Sequence, residues 1–328
     1  MIEVMTRFGY TLMTEQSPPK SLVQYAIGAE RAGFDFEVSS DHYFPWLDEM
    51  GHAPYAWSVL GAVAHATERV ELMTYVTCPT IRYHPAVIAQ KAATLGMLSD
   101  DRFILGLGSG ENLNEHVVGE GWPAVAARQD MLQEAVEIIR KLHDGNGRTT
   151  YDGEYFRVDS AKIWDLPDAT VQIGVAVSGP QSIKRFAPIA DHLITTAPDG
   201  DAVSRWDEVR SGMPESRKIG QIPICWGKDK DAAVARAHEL FRWFAGGWAV
   251  NADLPTTEAF AAATQFVRHS DVGDAIGCGP DLDELAQSIK PFLDNGFTDV
   301  ALVQIGDESQ DEFLADIAPA LLEKLRAL

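Results

Sequence analysis

The sequence predicts an α/β fold, a (β/α)8 barrel of the TIM-barrel type. Short apolar runs of strand character alternate with helical segments along the chain, which is typical of a parallel sheet covered by helices. Eight such units are present, and eight is the number that closes a parallel barrel. The main alternative is an open doubly wound sheet. It normally carries GxGxxG after its first strand, and that pattern is absent here.

The predicted strands are short, and their apolar character is nearly continuous. They cover residues 7–13, 34–39, 70–77, 103–107, 171–177, 192–196, 221–226 and 299–305. The helices between them follow apolar periodicity and end signals, with Gly33 closing the first helix and Pro85 opening the third. The other helices are predicted at 55–66, from about 132 to Gly145, and at 180–190, 201–211 and 310–327.

Two insertions interrupt the alternation. Residues 149–164 alternate around Asp152-Gly153, a pattern that predicts a β-hairpin. Between the last two strands the chain shows three helical pieces, at about 230–245, 256–268 and 282–294. No linker, low-complexity tract or fixed-period repeat divides the sequence, so we expect one domain over residues 1–328.

Composition narrows the class of protein. The 328 residues include 46% hydrophobic residues, and 27 Lys and Arg against 48 Asp and Glu give a net charge of −21. Such a chain repels phosphate backbones, so nucleic acid and anionic membranes are poor partners. Cys78, Cys225 and Cys278 form no CxxC pair, and no secretion signal or long apolar run appears, so we expect a cytoplasmic protein. The nine histidines form no metal-binding pattern, so no metal is expected.

Polar residues that could take part in catalysis follow the predicted strands. The active site of a parallel barrel lies at the C-terminal ends of its strands. Asp41, His42 and Trp46 follow the second strand, and Glu111 follows the fourth. We expect His42 and Glu111 to face one small pocket with Trp46 as a wall. Simpler roles exist as well: Asp41 suits a helix cap, and a loop histidine is more often structural.

Two glycine-containing loops suggest where a cofactor binds. Gly106, Gly108 and Gly110 resemble a phosphate loop, but residue 111 is Glu, so the dinucleotide pattern fails. These glycines are better suited to letting the backbone approach a flat ring. Gly179-Pro180 opens a predicted helix, and exposed N–H groups at a helix start can hold a phosphate.

These tracts resemble the luciferase-like superfamily. The resemblance is strongest to the branch that uses the deazaflavin coenzyme F420, the group of glucose-6-phosphate and secondary-alcohol dehydrogenases. The tracts that carry it, in order, are Asp41-His42 with Trp46, Tyr75-Val76 before Thr77-Cys78-Pro79-Thr80, Gly108-Ser109-Gly110-Glu111 with Asn114, and Val177-Ser178-Gly179-Pro180. The resemblance extends over essentially the whole chain and is most specific up to about residue 196.

The resemblance implies an oxidoreductase that transfers hydride between C5 of F420 and an alcohol or carbonyl compound. His42 would take the hydroxyl proton, Glu111 would supply a proton near N1 of the ring, and Trp46 would donate to the substrate oxygen. The implied cofactor-binding residues are Asp41, Tyr75, Val76, Thr77, Gly108, Ser109, Asn114, Val177, Ser178, Gly179, Gln181 and Ser182. Asp41 would either contact the cofactor or hold His42. A non-proline cis peptide is implied at Tyr75-Val76, and relatives are commonly homodimers.

The substrate side departs from the pattern of the sugar-phosphate dehydrogenases, which hold the substrate phosphate with lysines and an arginine. Here Asp199 stands at the position of a lysine and Ala275 at that of the arginine, and residues 246–267 and 269–289 contain neither Lys nor Arg. A buried phosphate without basic partners is costly, so we expect a non-phosphorylated substrate, a secondary alcohol or sugar. The alternatives are a sugar-6-phosphate dehydrogenase, an FMN-dependent monooxygenase of the same superfamily, and a non-catalytic flavin-binding barrel. The aromatic tract at 241–250 suggests an apolar lid or wall, and its side chains suit a buried core equally well.

Overall fold

The structure is a computed structural model that describes residues 6–328. Its strands are β1 (Arg7–Leu12), β2 (Phe36–Ser39), β3 (Glu71–Thr74), β4 (Phe103–Leu107), β5 (Thr149–Asp152), β6 (Arg157–Ala161), β7 (Gln172–Ala176), β8 (His192–Thr195), β9 (Lys218–Trp226), β10 (Gly277–Gly279) and β11 (Asp299–Gln304). Eight of them pair in parallel in the order β1, β2, β3, β4, β7, β8, β9, β11. Since β11 returns to β1, the sheet closes into a barrel. The predicted (β/α)8 fold is therefore confirmed.

The helices lie between the strands and outside the barrel. They are α1 (Pro19–Ala32), α2 (Ala56–Ala66), α3 (Pro85–Leu98), α4 (Asn112–Glu115), α5 (Val125–His143), α6 (Pro180–Phe186), α7 (Gly200–Val209), α8 (Lys230–Phe241), α9 (Trp248–Asn251), α10 (Thr257–Ala263), α11 (His269–Ala275), α12 (Leu282–Asp294), α13 (Gln310–Glu312) and α14 (Ala318–Arg326). Local signals set several ends: Gly33 closes α1 in the left-handed conformation, and the Asp281 carboxylate caps α12.

The barrel is filled by its own side chains. A compact interior cluster contains Phe36, Val38, Met73, Tyr75, Ile104, Ile194, Ile219 and Ala301. A larger apolar layer lies between the strands and the surrounding helices. Gly106 marks a close approach of β3 and β4, because a Cβ there would lie 1.9 Å from the Thr74 carbonyl oxygen. The interior is thus a packed core.

The two insertions differ in how they join the barrel. The predicted hairpin is confirmed as the antiparallel pair β5 and β6. Its turn is fixed by α5, where the Glu134 carboxylate accepts hydrogen bonds from the amides of Glu154, Tyr155 and Phe156. The helical insertion, residues 230–275, contains α8 to α11. It packs an apolar cluster over the C-terminal ends of the strands, a region called here the mouth.

Several predicted boundaries were wrong. β9 begins at Lys218 rather than residue 221, because its first residues pair with both β8 and β11. The helix predicted at 180–190 ends at Phe186, and the one predicted at 310–327 contains a π-helical turn at Phe313–Ile317. Strand β10 and helices α4, α9 and α11 were not predicted. β10 reads Gly-Cys-Gly, which has little strand character, and it forms only where β9 extends beyond the end of β8.

The end of the barrel opposite the mouth is closed by ion pairs. Arg217 bridges Glu71 at 2.9 Å and Asp299 at 2.6 Å, and Arg7 pairs with the same two carboxylates. This end is therefore occupied by a structural network, which leaves the mouth for chemistry. In residues 6–328, no helix is both long enough and apolar enough to cross a bilayer.

Candidate active site

The loop after β2 carries the first candidate residues, and Asp41 is its anchor. This carboxylate is almost fully buried. Its Oδ2 accepts hydrogen bonds from the Thr77 hydroxyl at 2.7 Å and the Trp57 indole at 3.1 Å. Its Oδ1 accepts from the Tyr83 hydroxyl at 3.2 Å and lies 3.4 Å from the Arg82 guanidinium. Asp41 thus ties the β2 loop to the β3 loop.

His42 is held by a residue that the sequence analysis did not single out. Its Nδ1 lies 3.0 Å from Oε1 of Glu15, and both side chains are buried. The approach is within ion-pair range but is not aligned as a hydrogen bond. The other Glu15 oxygen accepts from the hydroxyls of Thr14, at 3.1 Å, and Ser40. The alternative in which Asp41 holds His42 is wrong, because Asp41 is engaged elsewhere.

Trp46 packs between the His42 ring and the aromatic side chains of the helical insertion. The indole meets the His42 ring edge-on with centroids 4.9 Å apart. On its other side it stacks on Trp243 at 4.2 Å and 12°, and Phe260 contacts it edge-on at 5.2 Å. In the aromatic tract at 241–250, Phe241, Trp243 and Phe244 belong to or pack against the apolar cluster of the mouth, and Trp248 and Val250 are exposed.

The loop after β3 carries Tyr75 and Val76, two of the residues expected to bind the cofactor. The Tyr75-Val76 peptide bond is cis, as the resemblance implied. The Tyr75 hydroxyl donates to the Thr195 carbonyl oxygen at 2.8 Å, so this side chain reaches across the barrel. A Cβ on Gly108 would lie 2.6 Å from Val76 Cγ2, so only glycine lets the β4 loop pass this close to Val76.

The loop after β4 holds Glu111 and Asn114 at opposite ends of one helical turn. Glu111 is the N-cap residue of α4 and is partly exposed, while Ser109 is half-buried just before it. Asn114 is buried, and its Oδ1 accepts from the amides of Tyr43 at 2.8 Å and Phe44 at 3.1 Å. Asn114 therefore fixes the segment that carries His42 and Trp46. Its Nδ2 has no partner within the described chain.

Two further charged residues complete the site, and neither was predicted. Glu115 is buried, the Arg82 side chain is 8% exposed, and the Arg82 amide donates to Glu115 Oε2 at 2.8 Å. Burial raises the pKa of Glu115 to about 7, against the lowering effect of Arg82. Burial alone would lower the pKa of Arg82, but Asp41 and Glu115 hold it above its ordinary value. Arg82 and Glu115 meet because the loops after β3 and β4 fold toward each other, and the spacing of the two residues in the sequence does not indicate this.

The loop after β7 presents the predicted phosphate segment, from Val177 to Ser182. The Ser182 hydroxyl oxygen accepts from the amides of Ser178 at 3.3 Å and Gly179 at 3.2 Å. The amides of Gln181 and Ser182 have no acceptor in residues 6–328. At Gly179 the backbone is extended, and a Cβ would meet nothing within 4 Å. The segment thus faces open space at the start of α6.

Two of the acidic residues expected on the substrate side, Asp199 and Asp253, lie in different parts of the structure. Asp199 is exposed and caps α7, and its neighbour Gly200 lies against Asn295 at the end of α12. This position is outside the His42 group. Asp253 lies nearer to the mouth, where its carboxylate accepts from the Trp122 indole at 2.9 Å. Across residues 6–328, no three His, Cys, Asp or Glu side chains are grouped as metal ligands.

The fold and this set of side chains define a class. A closed parallel barrel carries a buried histidine–carboxylate pair, an aromatic wall and an open helix start at one mouth, which is the architecture of a barrel enzyme that binds a ring-and-phosphate cofactor. The sequence profile of the luciferase-like monooxygenase family matches residues 1–299. The chain belongs to this luciferase-like family.

Individual relatives narrow the comparison. An F420-dependent glucose-6-phosphate dehydrogenase of Nakamurella multipartita is 36% identical, with 98% of this chain and 97% of that protein covered. One of the same description from Amycolatopsis mediterranei is 35% identical over 99% and 100% of the two chains. Among solved structures, an F420-dependent secondary alcohol dehydrogenase in complex with an F420-acetone adduct superposes with a TM-score of 0.89 at 28% identity, covering 98% of this chain and 99% of that one.

Proposed function

We propose that this protein is a coenzyme F420-dependent oxidoreductase that acts on an alcohol or carbonyl group. The observation that carries the proposal is the His42 group at the barrel mouth: a buried imidazole beside the Glu15 carboxylate and against the Trp46 indole. It lies in a chain whose relatives over nearly full length are described as F420-dependent dehydrogenases. Chain and site therefore support the same chemistry.

The mouth fits a deazaflavin with a phosphate-bearing tail. Asn114 Nδ2 is a buried donor that has no partner in residues 6–328, and such a donor is costly unless a ligand satisfies it. The amides of Gln181 and Ser182 at the start of α6 suit a phosphate, and the absence of a side chain at Gly179 leaves room for it. We assign ring contact to Tyr75, Val76, Thr77, Gly108 and Ser109, and tail contact to residues 177–182. Asp41 acts on the ring side through Thr77.

The chemistry divides between cofactor and protein. When bound, F420 supplies the hydride acceptor or donor. His42 removes the hydroxyl proton of an alcohol, and the Glu15 carboxylate stabilises the imidazolium that results. In this proposal Glu111 holds a proton on the cofactor side, and Trp46 limits the space beside the substrate. The packed aromatic groups around Trp46 exclude water from this side of the reaction.

For the substrate we propose a non-phosphorylated alcohol, ketone or sugar. Five arginines around the mouth and its insertion already face carboxylates: Arg82, Arg128, Arg236, Arg242 and Arg268. Lys184 and Arg205 are exposed on the outer helices. A phosphate dianion would have to compete with these carboxylates for a cation. The aromatic wall instead suits an uncharged substrate.

A sugar-6-phosphate dehydrogenase is the second candidate. It is favoured by the descriptions of the relatives from Nakamurella multipartita and Amycolatopsis mediterranei. The Arg128 guanidinium is the cation through which it would act, because its ion-pair distance to the exposed Asp253 is a long 4.0 Å and its Nε has no partner in the described chain.

A homodimer, a cytoplasmic location and a single domain stay predictions.

The test of the cofactor is a pair of titrations. Purified protein is titrated with F420 and, separately, with FMN, and ring fluorescence gives each dissociation constant. The proposal expects F420 to bind at least about tenfold more tightly than FMN, a difference of about 1.4 kcal/mol. Preference for FMN would point to the monooxygenase chemistry, and binding of neither would contradict the proposal.

A further inference from the structure

Three buried charged side chains from three different loops meet at the mouth. Arg82 comes from the loop after β3, Asp41 from the loop after β2, and Glu115 from α4 after β4. Arg82 Nη2 lies 3.4 Å from Asp41 Oδ1 and donates to the Asp41 carbonyl oxygen at 2.5 Å. Arg82 Nε lies 3.4 Å from Glu115 Oε1. One guanidinium therefore links two carboxylates from different loops.

Each partner of Arg82 is tied to a residue proposed to react. Asp41 directly precedes His42. Glu115 lies one helical turn after Glu111, and its amide donates to the Glu111 carbonyl oxygen at 3.2 Å. Displacement of Asp41 relative to Glu115 would therefore move His42 relative to Glu111.

We propose that Arg82 is a positioning residue that holds His42 and Glu111 at their working separation by clamping Asp41 to Glu115. The inference rests on the proposed function, since it takes His42 and Glu111 as the reacting groups. Arginine suits the task because its planar guanidinium presents donors in several fixed directions. The ammonium group of lysine is a single charge on a flexible chain and does not hold two carboxylates at set angles.

The energetics favour positioning over simple stabilisation. Removal of charges from water costs more than an ion pair commonly returns, so a buried network of this kind is a poor stabiliser in general. Here one cation faces two carboxylates, with Glu111 and the Cys78 thiol also close to Glu115. Without Arg82 the Glu115 carboxyl would hold its proton at neutral pH. The clamp then disappears from both ends, which leaves the Asn114 hydrogen bonds to Tyr43 and Phe44 and the stacking of Phe44 on His116 between the two loops.

The structure offers a matched control for the test. Arg217 also bridges two carboxylates, Glu71 and Asp299, but at the end of the barrel opposite the mouth. Arg82→Gln and Arg82→Lys are therefore compared with Arg217→Gln. Three quantities are measured: melting temperature, amide hydrogen exchange of Tyr43 and Phe44 without cofactor, and kcat with the dissociation constant for F420.

The clamp predicts a pattern that a purely structural role does not produce. Both Arg82 variants should lower kcat by about tenfold or more while F420 affinity changes by less than about threefold. Their Tyr43 and Phe44 amides should exchange about tenfold faster or more. Arg82→Lys should recover melting temperature better than kcat. Arg217→Gln should lower only the melting temperature.

Two outcomes separate failure of this inference from failure of the proposed function. In the first outcome, the wild type reduces F420, and Arg82→Gln or Arg82→Lys reduces it as fast as Arg217→Gln does. If the Tyr43 and Phe44 amides of that Arg82 variant also stay protected from exchange, Arg82 does not position the site. If the wild type fails to reduce F420 with every alcohol and sugar tested, the proposed function itself is contradicted, and the positioning role is contradicted with it.

Discussion

Nδ1 of His42 lies 3.0 Å from Oε1 of Glu15, with both side chains withdrawn from solvent at the barrel mouth. Glu15 follows β1 and His42 follows β2, so adjacent parallel strands bring the two groups together. The Ser40 and Thr14 hydroxyls fix the second Glu15 oxygen. Under the proposed function, Nε2 of His42 meets the substrate hydroxyl, and the Glu15 carboxylate lies behind the imidazole at Nδ1.

Loss of the imidazole should stop proton transfer. We expect His42→Ala to lower kcat by about 10²–10⁴ while F420 affinity changes little, because the side chain acts on the substrate hydroxyl and not on the cofactor. Steady-state kinetics with a cofactor titration measure both quantities. His238→Ala is the control, since that histidine lies in the insertion, where its Nε2 donates to the Val267 carbonyl oxygen at 2.8 Å. Parent-like turnover by His42→Ala would remove His42 from the mechanism.

Neutralisation of the supporting carboxylate should give a smaller loss. Glu15→Gln keeps the size of the side chain but removes the charge that faces the imidazolium, and so removes the electrostatic attraction between the two groups. We expect kcat to fall by about tenfold to a hundredfold with KM nearly unchanged. If KM rises and kcat is retained, Glu15 acts in substrate binding instead.

The phosphate segment can be tested by filling the space at Gly179. Its extended backbone accepts any residue, and a Cβ meets nothing within 4 Å, so Gly179→Val should fold normally. The new side chain would occupy the space proposed for the phosphate and should weaken F420 binding by more than about tenfold. Gly61→Val on α2 is the control, because a Cβ there also meets open space. Equal F420 affinity of the two variants would place the phosphate elsewhere.

A buried acid in β2 should make stability depend on pH. Glu37 is fully buried, and neither carboxylate oxygen has a partner within the described residues. Burial raises its pKa well above the ordinary value, with Glu30 adding to the shift and Arg102 opposing it. Folding therefore takes up a proton at pH values above the unfolded pKa and below the folded one. In that window stability falls as pH rises, by up to about 1.4 kcal/mol per pH unit.

Glu37→Gln removes this titration. We expect the variant to gain stability over the wild type as pH increases from 5 to 8, measured by urea unfolding at several pH values, with the exposed Glu120→Gln as control. Parallel stability curves for Glu37→Gln and the wild type would show that Glu37 titrates normally in the folded protein.

The sequence predicted the barrel because parallel strands are buried on both faces and read as continuous apolar runs. It also placed His42, Trp46 and Glu111 at strand ends, where barrel sites form. Glu15 satisfies the same rule, since it follows β1, but the polar run around it resembles an ordinary loop. Application of the rule to every strand end would have found it.

Other parts of the site depend on chain closure, which local patterns do not encode. Arg82 meets Glu115 only because the β3 and β4 loops fold toward each other at Gly108 and Gly110. Trp243 stacks on Trp46 only because the helical insertion returns over the mouth. Asp199, which the sequence comparison placed on the substrate side, caps α7 by accepting from the Ala202 amide, and this capping contact also depends on how the loop after β8 closes.

The central claim is tested most directly by the bleaching of F420 with a panel of secondary alcohols, unphosphorylated sugars and glucose 6-phosphate at two ionic strengths. The account predicts F420 reduction by at least one neutral substrate, with kcat/KM at least about tenfold above that of glucose 6-phosphate and little effect of salt. Efficient, salt-sensitive turnover of glucose 6-phosphate would contradict the substrate assignment. No bleaching with any member of the panel would contradict the proposed oxidoreductase itself.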